Sequence, residues 1–261
     1  MADASKAPPT PTRSPRALWR IGRGRSGGSL GCAVIARHAI GLGHNVLVAD
    51  GDINNPMLSR LYPPEGAHGV GRPKNATLET CKVWLADTLA LALKKNASVV
   101  IDMGGGDRIS EELAAESDLG HFLAASNLIP TYAYFTGPER DDFEHMHRIW
   151  ASGAFQGGTS VLFLNAGLQR NASRAVDPFA WLREDPRLLA MLKAGVIPID
   201  MPALTSMKYI EEEGLSVFDA VDNKAGRSGR HLNPLWVHMA QKWLKDFTHN
   251  LDEEGAAEWM P

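Results

Sequence analysis

A short glycine-rich stretch carries the residue types best suited to binding an anion: residues 21–32 read IGRGRSGGSLGC. Four residues separate Gly22 from Gly27, and Ser29 comes two positions after Gly27. Loops of this outline hold phosphate because their backbone N–H groups and the dipole of the following helix attract negative charge. A lysine normally occupies the position of Gly28 and reaches the β- and γ-phosphates, while the Ser or Thr hydroxyl binds magnesium. Two interpretations are open: a nucleotide site without its main cation, or a glycine-rich turn that holds no ligand.

Aspartates end two further apolar runs of the chain. Asp50 closes the run HNVLVAD and is followed by Asp52, while Asp102 closes ASVVID and is followed by three glycines. Because ligands of open parallel sheets bind at the carboxyl ends of strands, we expect these carboxylates and Ser29 to lie at one edge. Magnesium takes hard oxygen ligands and retains several waters, so a hydroxyl supported by aspartates is a chemically adequate site. The alternative is that Asp50 and Asp102 only cap helices or form turns.

The elements that must position these residues alternate between short β-rich runs and longer helical patterns. Strands are predicted at 17–21, 44–50, 97–102, 129–136, 159–167 and 195–200. Helices are predicted at 30–43, 83–95, 111–127, 138–153 and about 235–251, the last with Asn233 as cap and Pro234 as first residue. Nearly all-apolar strands alternating with helices predict an α/β fold, with a mainly parallel sheet covered on both faces.

Composition is ordinary for a globular protein, with 44% apolar and 22% charged residues and a net charge of −3. We expect one domain over 17–254, between a disordered proline-rich tail at 1–16 and an acidic tail at 255–261. Two cysteines, Cys32 and Cys81, form no disulfide framework, and we expect reduced thiols in a cytoplasmic protein. No apolar run approaches about 18 residues, so no membrane association is expected.

The order and spacing of these motifs resemble the ParA/MinD family of deviant Walker A P-loop ATPases. That family's loop reads K-G-G-x-G-K-S/T, and residues 23–29, RGRSGGS, align with it without a gap. Arg23 falls on the signature lysine and Gly28 on the second lysine, whereas Gly24, Gly27 and Ser29 match. Four later segments follow in the family's order, at 50–63, 99–106, 161–167 and 196–220. The resemblance covers residues 17 to about 222 and is greatest to the TraL-like branch of plasmid and conjugation proteins.

The resemblance implies a P-loop NTPase-like three-layer sandwich that binds ATP or ADP with Mg²⁺. It implies a metal set of Ser29, Asp50 and Asp102. It assigns catalysis to Asp52, which would orient the attacking water, and to Arg23, which would neutralise phosphate within one subunit or across a dimer. The implied nucleotide-binding positions are Gly24, Gly27, Gly28, Ser29, Asn165, Pro198 and Ile199, with Asn165 and the 198–199 backbone at adenine.

The missing lysine decides how far that activity is expected to survive. A preorganised charge of this kind is typically worth on the order of 2.7–4 kcal/mol in the transition state. Gly28 cannot supply it, so three outcomes stay open. They are nucleotide binding with weak or no hydrolysis, rescue by Arg23 or Arg25, and loss of nucleotide binding.

Three other features have both a functional and a structural interpretation. Lys224, Arg227 and Arg230 in the loop 223–230 could contact DNA phosphates without sequence specificity, or could form a solvated loop. His145 and His147 lie two apart on a predicted helix, where they would diverge rather than share a metal. A stripe on the last helix is expected to pack against the domain or a dimer partner rather than a membrane; its members are Trp236, Ala240, Trp243, Phe247 and Leu251.

Taken together, the sequence predicts a nucleotide-responsive, ParA-like switch protein serving plasmid partition, plasmid maintenance or conjugative transfer. Its nucleotide state would control homodimer formation and the binding of a partner protein of the partition or conjugation system. The alternative is a pseudo-ATPase adaptor that binds protein partners without a nucleotide cycle. A small-molecule enzyme on the same fold lacks a recognisable nucleophile or acid–base pair.

Overall fold

The computed structural model describes residues 13–104, 107–169 and 177–261. The predicted tail at 1–16 falls almost wholly outside that range, and the first strand already begins at Arg16. Two glycines of the segment after Asp102, at 105 and 106, also lie outside the described residues.

Six strands form one sheet in which every neighbouring pair is parallel, in the order β2-β3-β1-β4-β5-β6. The strands are β1 Arg16–Ile21, β2 Val46–Asp50, β3 Ser98–Asp102, β4 Ile129–Thr136, β5 Thr159–Asn165 and β6 Ile197–Met201. The first strand is therefore central, with β3 on one side and β4 on the other. The chain departs from β1 in one direction and returns on its other side, which opens a crevice at its carboxyl end.

Helices cover both faces of this sheet. The helices are α1 Gly28–Gly41, α2 Met57–Leu61, α3 Leu78–Lys95, α4 Asp107–Ser117, α5 Leu119–Ala125, α6 Arg140–Ala151, α7 Ala180–Arg183, α8 Pro186–Lys193, α9 Met207–Glu212, α10 Val217–Val221, α11 Pro234–Glu253 and α12 Ala256–Trp259. Alternate residues of β1 face opposite layers: Trp19 packs with α3 and α6, and Leu18 packs with α1 and α11. The predicted three-layer α/β sandwich with a parallel sheet is thereby confirmed.

Several element boundaries differ from the prediction for local reasons. The helix predicted from residue 83 begins at Leu78, because the Thr77 side chain accepts the backbone N–H of Thr80 as a cap. The predicted helix 111–127 is two helices, since Asp118 adopts a left-handed φ of 45° between them. The cap predicted for the last long helix is confirmed: the Asn233 side chain accepts the backbone N–H of Leu235 at 2.9 Å.

The apolar stripe of α11 is mostly buried, as predicted. Ala240, Trp243, Phe247 and Leu251 lie in the apolar layer on the α1 side of the sheet. Trp236 is only half-buried and stacks on Tyr209 of α9, with ring centroids 4.6 Å apart. Among the helices that the structure describes, none is long and apolar enough to cross a bilayer.

The segment 255–261 is not an acidic tail, as the sequence had suggested, but part of the domain. Trp259 is buried with its ring edge-on to Phe163, and the Thr131 hydroxyl donates to its carbonyl oxygen at 2.8 Å. Met260 is fully buried in the same layer. The apolar area of these two side chains outweighs the charge of the preceding glutamates, which remain at the surface.

We expect Trp259→Ala to lower the free energy of unfolding by about 3–5 kcal/mol, because it removes a large, fully enclosed ring. Urea denaturation followed by circular dichroism measures this loss. Leu235→Ala serves as control, since Leu235 is 55% exposed and its truncation should change stability by about 0.5 kcal/mol or less. A loss below about 1 kcal/mol for Trp259→Ala would mean that the segment is not part of the folded core.

Candidate functional site

The glycine loop joins the carboxyl end of β1 to the start of α1, at the crevice of the sheet. Gly27 caps α1 with a left-handed φ of 83°, and Gly31 donates its N–H to the Gly27 carbonyl at 3.0 Å. At Gly22, with φ at 138°, a side-chain carbon would lie 2.6 Å from the carbonyl oxygen of Phe135. The first N–H groups of α1 have no acceptor within the helix, so the loop presents them to an anion.

A cavity of about 680 Å³ opens above this loop, within the size range of small-molecule sites. Its two ends differ in chemistry. One end is lined by the glycine loop and the strand ends beside it: Gly24, Gly27, Gly28, Ser29, Asp52 and Gly104. The other end is formed by β6, α9, α10 and α11 and combines apolar side chains with the carboxylates of Glu211 and Asp219; its apolar members are Met201, Pro202, Leu204, Met207, Val217 and Trp243.

Arg20, which sequence reasoning missed, lies under the loop and lines the same cavity. It is only 2% exposed, although its neighbours in the central strand, Trp19 and Ile21, are apolar. Its two terminal nitrogens donate to the carbonyl of Gly104, to the carbonyl of Arg23 at 2.6 Å and to the hydroxyl of Ser26 at 2.9 Å. Arginine is almost never fully buried unless it is paired, so its place in the run ALWRI was the available signal.

The Arg20 guanidinium fills the space that a side chain at position 28 would need. A side-chain carbon built on Gly28 would lie 2.9 Å from the guanidinium carbon and still closer to Nε. Since the guanidinium is fixed by three hydrogen bonds, it cannot move aside freely. Position 28 must therefore be a glycine as long as the Arg20 side chain, which comes from the strand below the loop, occupies this space.

Asp50 and Asp102 are both 1% exposed and lie behind the cavity rather than on its surface. The Asp102 carboxylate accepts the Gly104 N–H at 2.7 Å and lies 3.9 Å from Arg20 Nε. The Asp50 carboxylate accepts the N–H groups of Ser59, in α2, at 2.7 Å and of Asp52 at 3.1 Å. Burial raises the pKa of Asp50, the charge of Asp102 raises it further, and the two N–H donors oppose the shift. The turn-forming role left open by the sequence is thus present at both aspartates.

Asp52 and Ser29 do line the cavity together. Asp52 accepts the N–H groups of Asn54 and Asn55, both at 2.9 Å, which fixes the turn after β2. Its carboxyl group packs against Gly104, where a side-chain carbon would lie 2.6 Å from the Asp52 carboxyl carbon. In the part of the chain that the structure describes, no three His, Cys, Asp or Glu side chains converge as a metal cluster. The predicted metal set is accordingly divided, with Ser29 in the cavity and two buried aspartates behind it.

Arg23 does not line the cavity, in contrast to Arg25. The Arg23 side chain is 46% exposed and pairs with Asp142 of α6 at 3.3 Å. A pair this exposed contributes at most about 1 kcal/mol. Rescue of the missing charge by Arg23 within one subunit therefore has no support in the geometry.

Asn165 lies beside the loop and is 4% exposed. Its Nδ2 donates to the Ser26 carbonyl at 3.0 Å and its Oδ1 accepts the Gly167 N–H at 2.9 Å, so its amide holds the loop in place. Pro198 and Ile199, predicted at adenine, lie within β6 opposite Leu162 and Phe163 of β5. They do not line the cavity; Met201 and Pro202, at the end of the same strand, do. Because ladder pairing extends β6 to Met201, the strand reaches the cavity at Met201 and not at Pro198 or Ile199.

The remaining predicted features show mainly structural contacts. In the loop 223–230, Lys224 pairs with Asp219 at 2.7 Å, and the Glu213 carboxylate accepts the Ser228 N–H at 3.2 Å. On α6, burial lowers the pKa of His147, with the Arg187 charge lowering it further, and its ring lies between those of Phe143 and Trp150.

Comparisons with known proteins give only distant likenesses. No protein-family model and no curated protein matches this chain. Three solved structures are similar over part of their length. FtsY from Mycoplasma mycoides has a TM-score of 0.43 and 14% sequence identity, covering 58% of this chain and 52% of that chain. Signal recognition particle receptor FtsY from Elizabethkingia anophelis has a TM-score of 0.43 and 17% identity, covering 59% of this chain and 51% of that chain, and cell division protein FtsY from Thermotoga maritima has a TM-score of 0.44 and 17% identity, covering 60% and 54%. This chain thus spans about half the length of each. At these scores the likeness carries no argument about function, and the fold class rests on the sheet topology.

Arg25 offers a test of the loop's backbone, because it holds a left-handed φ of 67° that favours glycine. We expect Arg25→Gly to exceed Arg25→Ala in free energy of unfolding by about 1 kcal/mol, since both lose the side chain but only glycine relieves the strain. Thermal or urea unfolding of the two variants measures the difference. Equal stabilities would show that position 25 is not held in this conformation in solution.

Proposed function

We propose that this protein binds a nucleoside phosphate in the cavity above the glycine loop and acts as a nucleotide-responsive switch. The observation that carries the proposal is the division of the cavity, with the glycine loop and the start of α1 at one end and a wall at the other whose apolar side chains are accompanied by Glu211 and Asp219. A nucleotide has the same division, since its phosphates are anionic and its base is flat and largely apolar. The order of the elements supports the proposal, because parallel sheets bind ligands at this crevice.

The phosphate end fits the charged half of such a ligand. Gly24, Gly27 and Gly28 let the backbone approach closely, and the start of α1 adds partial positive charge. The Ser29 hydroxyl is available at the same end as a ligand for Mg²⁺, which would keep most of its waters and contact the phosphates. Asp50 and Asp102 would act behind this site, by their charge and by holding the backbone of the turns.

The apolar end fits the base. Trp243 is anchored by its indole N–H, which donates to the Pro202 carbonyl at 2.7 Å, so the wall beside the base is rigid. Met201, Leu204 and Met207 complete it, and methionine adapts well to irregular contacts. This assigns the base to the segment after β6, rather than to Pro198 and Ile199.

The finer proposal is a role in plasmid partition or conjugative transfer, with ATP or ADP as nucleotide and weak or no hydrolysis. It is supported by the motif resemblance to the ParA/MinD family. Weak hydrolysis is expected because Gly28 provides no mobile cation to follow charge onto the leaving phosphate. Nucleotide would then act by favouring a homodimer and a partner protein, and contact of the loop 223–230 with DNA remains a separate proposal.

A second candidate is an adaptor that keeps the fold without a nucleotide cycle. The observation in its favour is that Arg20 already joins the loop to Gly104 through internal hydrogen bonds. A loop held in this way needs no ligand to remain ordered. The two candidates differ in whether ATP changes the assembly state of the protein.

The test of nucleotide binding is a titration with a fluorescent ATP analogue, with and without Mg²⁺. We expect Leu204→Trp, which fills the apolar end, to weaken binding at least tenfold, or about 1.4 kcal/mol. Ser29→Ala should abolish the magnesium dependence. Leu189→Trp is the matched control, since Leu189 is 51% exposed on α8, does not line the cavity and should bind as the wild type does.

Sedimentation velocity with ATP, with ADP and without nucleotide then separates the switch from the adaptor. A larger species with ATP alone supports the switch. An unchanged sedimentation coefficient in all three conditions contradicts the switch and favours the adaptor. Absence of binding by folded wild type rules out the nucleotide proposal altogether.

A further inference from the structure

We propose that Arg20, a residue of the central strand, supplies the positive charge of the phosphate site in place of the lysine that the loop lacks. This inference rests on the nucleotide site proposed above and names the residue that makes it electrostatically possible. It differs from the arginine rescue expected from the sequence, because it assigns neither Arg23 nor Arg25.

Position is the first argument. The guanidinium lines the cavity at its phosphate end and occupies the volume directly beneath Gly28. A lysine side chain leaving position 28 would begin where the guanidinium now lies. A cation could therefore be placed here either by a lysine at the start of α1 or by an arginine in the strand below. In this chain it is the arginine of the strand.

The charge of Arg20 also suits it to the phosphate site. The three hydrogen bonds of Arg20 go to uncharged oxygens, two carbonyls and one hydroxyl. The nearest carboxylate oxygen, of Asp102, is 3.9 Å from Nε, which is longer than a hydrogen bond. Arginine retains its charge at all ordinary pH values. The Asp102 carboxylate therefore balances this charge only partly, and Arg20 contributes a positive potential to the cavity that it lines.

An unsatisfied donor provides the third argument. Arg20 Nε is buried and has no hydrogen-bond partner among the described residues, although the side chain is 98% enclosed. A buried N–H group without an acceptor destabilises the folded state, and more so when the group is charged. Phosphate oxygens are strong acceptors for guanidinium groups. A phosphate bound in the loop would bring such acceptors to the end of the cavity that Arg20 lines.

The same geometry makes Arg20 and a lysine at position 28 mutually exclusive. Gly28→Lys alone should not restore a stronger site, because the new side chain collides with the guanidinium. Arg20→Met/Gly28→Lys should restore it, since the guanidinium is removed and the charge returns on the loop. The matched control is Arg37→Met, in which the same substitution is made at an exposed position of α1 outside the cavity.

The experiment measures affinity for the fluorescent ATP analogue and the thermal midpoint in the wild type and four variants. The variants are Arg20→Met, Gly28→Lys, Arg20→Met/Gly28→Lys and Arg37→Met. We expect Arg20→Met to bind at least tenfold more weakly, and Arg37→Met to bind as the wild type does. Gly28→Lys should lower the thermal midpoint by about 5 °C or more. The double variant should recover affinity to within about threefold of the wild type and melt above Gly28→Lys.

A folded Arg20→Met that binds with wild-type affinity overturns the inference and leaves the nucleotide proposal intact. Failure of the wild type to bind overturns both. If Arg20→Met does not fold, NMR of the wild type provides the test. The Arg20 Nε–H resonance is assigned by its loss in Arg20→Lys. Its chemical shift should change during an ATP titration. A resonance that stays in place at saturating ATP overturns the inference.

Discussion

A buried guanidinium beneath a glycine loop must find oxygen acceptors, and the local structure around the crevice follows from that requirement. Arg20 donates to the carbonyls of Arg23 and Gly104 and to the hydroxyl of Ser26, so one side chain holds both the glycine loop and the turn after β3. An uncompensated charge in this position would destabilise the fold by several kcal/mol. The loop is therefore ordered by what lies below it, independently of any ligand above it.

The glycines around the crevice are explained by the polar groups packed against them. At Gly27 a side-chain carbon would collide with the Asn165 amide, and at Gly104 with the Asp52 carboxylate. Each of these polar side chains also fixes a turn through backbone N–H or carbonyl groups. The same two side chains thus require a glycine beside them and hold the neighbouring turn in place. The loop is therefore held by contacts that do not depend on a side chain at position 28.

The sequence was sufficient for the fold class, because it depends on local periodicity that each strand and helix carries in itself. It also located the loop and the aspartates at strand ends, since a parallel sheet brings such residues to one edge. It could not identify Arg20 as part of the site, because the Gly104 carbonyl that receives it lies 84 positions away. The prediction of an acidic tail at 255–261 was also wrong. It relied on the charged residues there, whereas Trp259 packs against a strand 128 positions earlier in the chain.

The central place of β1 in the sheet has a consequence for the order in which the chain can fold. Residue Arg16 pairs with Ile129 of β4, so 113 further residues must be synthesised before that partner exists. At typical translation rates of about 5–20 residues per second, this takes roughly 6–23 s. Both edges of β1 lack their partners until β3 has been synthesised, and the edge that β4 will occupy lacks its partner throughout that interval. Contacts this distant form slowly. Because β3 precedes β4 in the chain, its pairing with β1 would leave one unpaired edge instead of two while the rest of the sheet is synthesised.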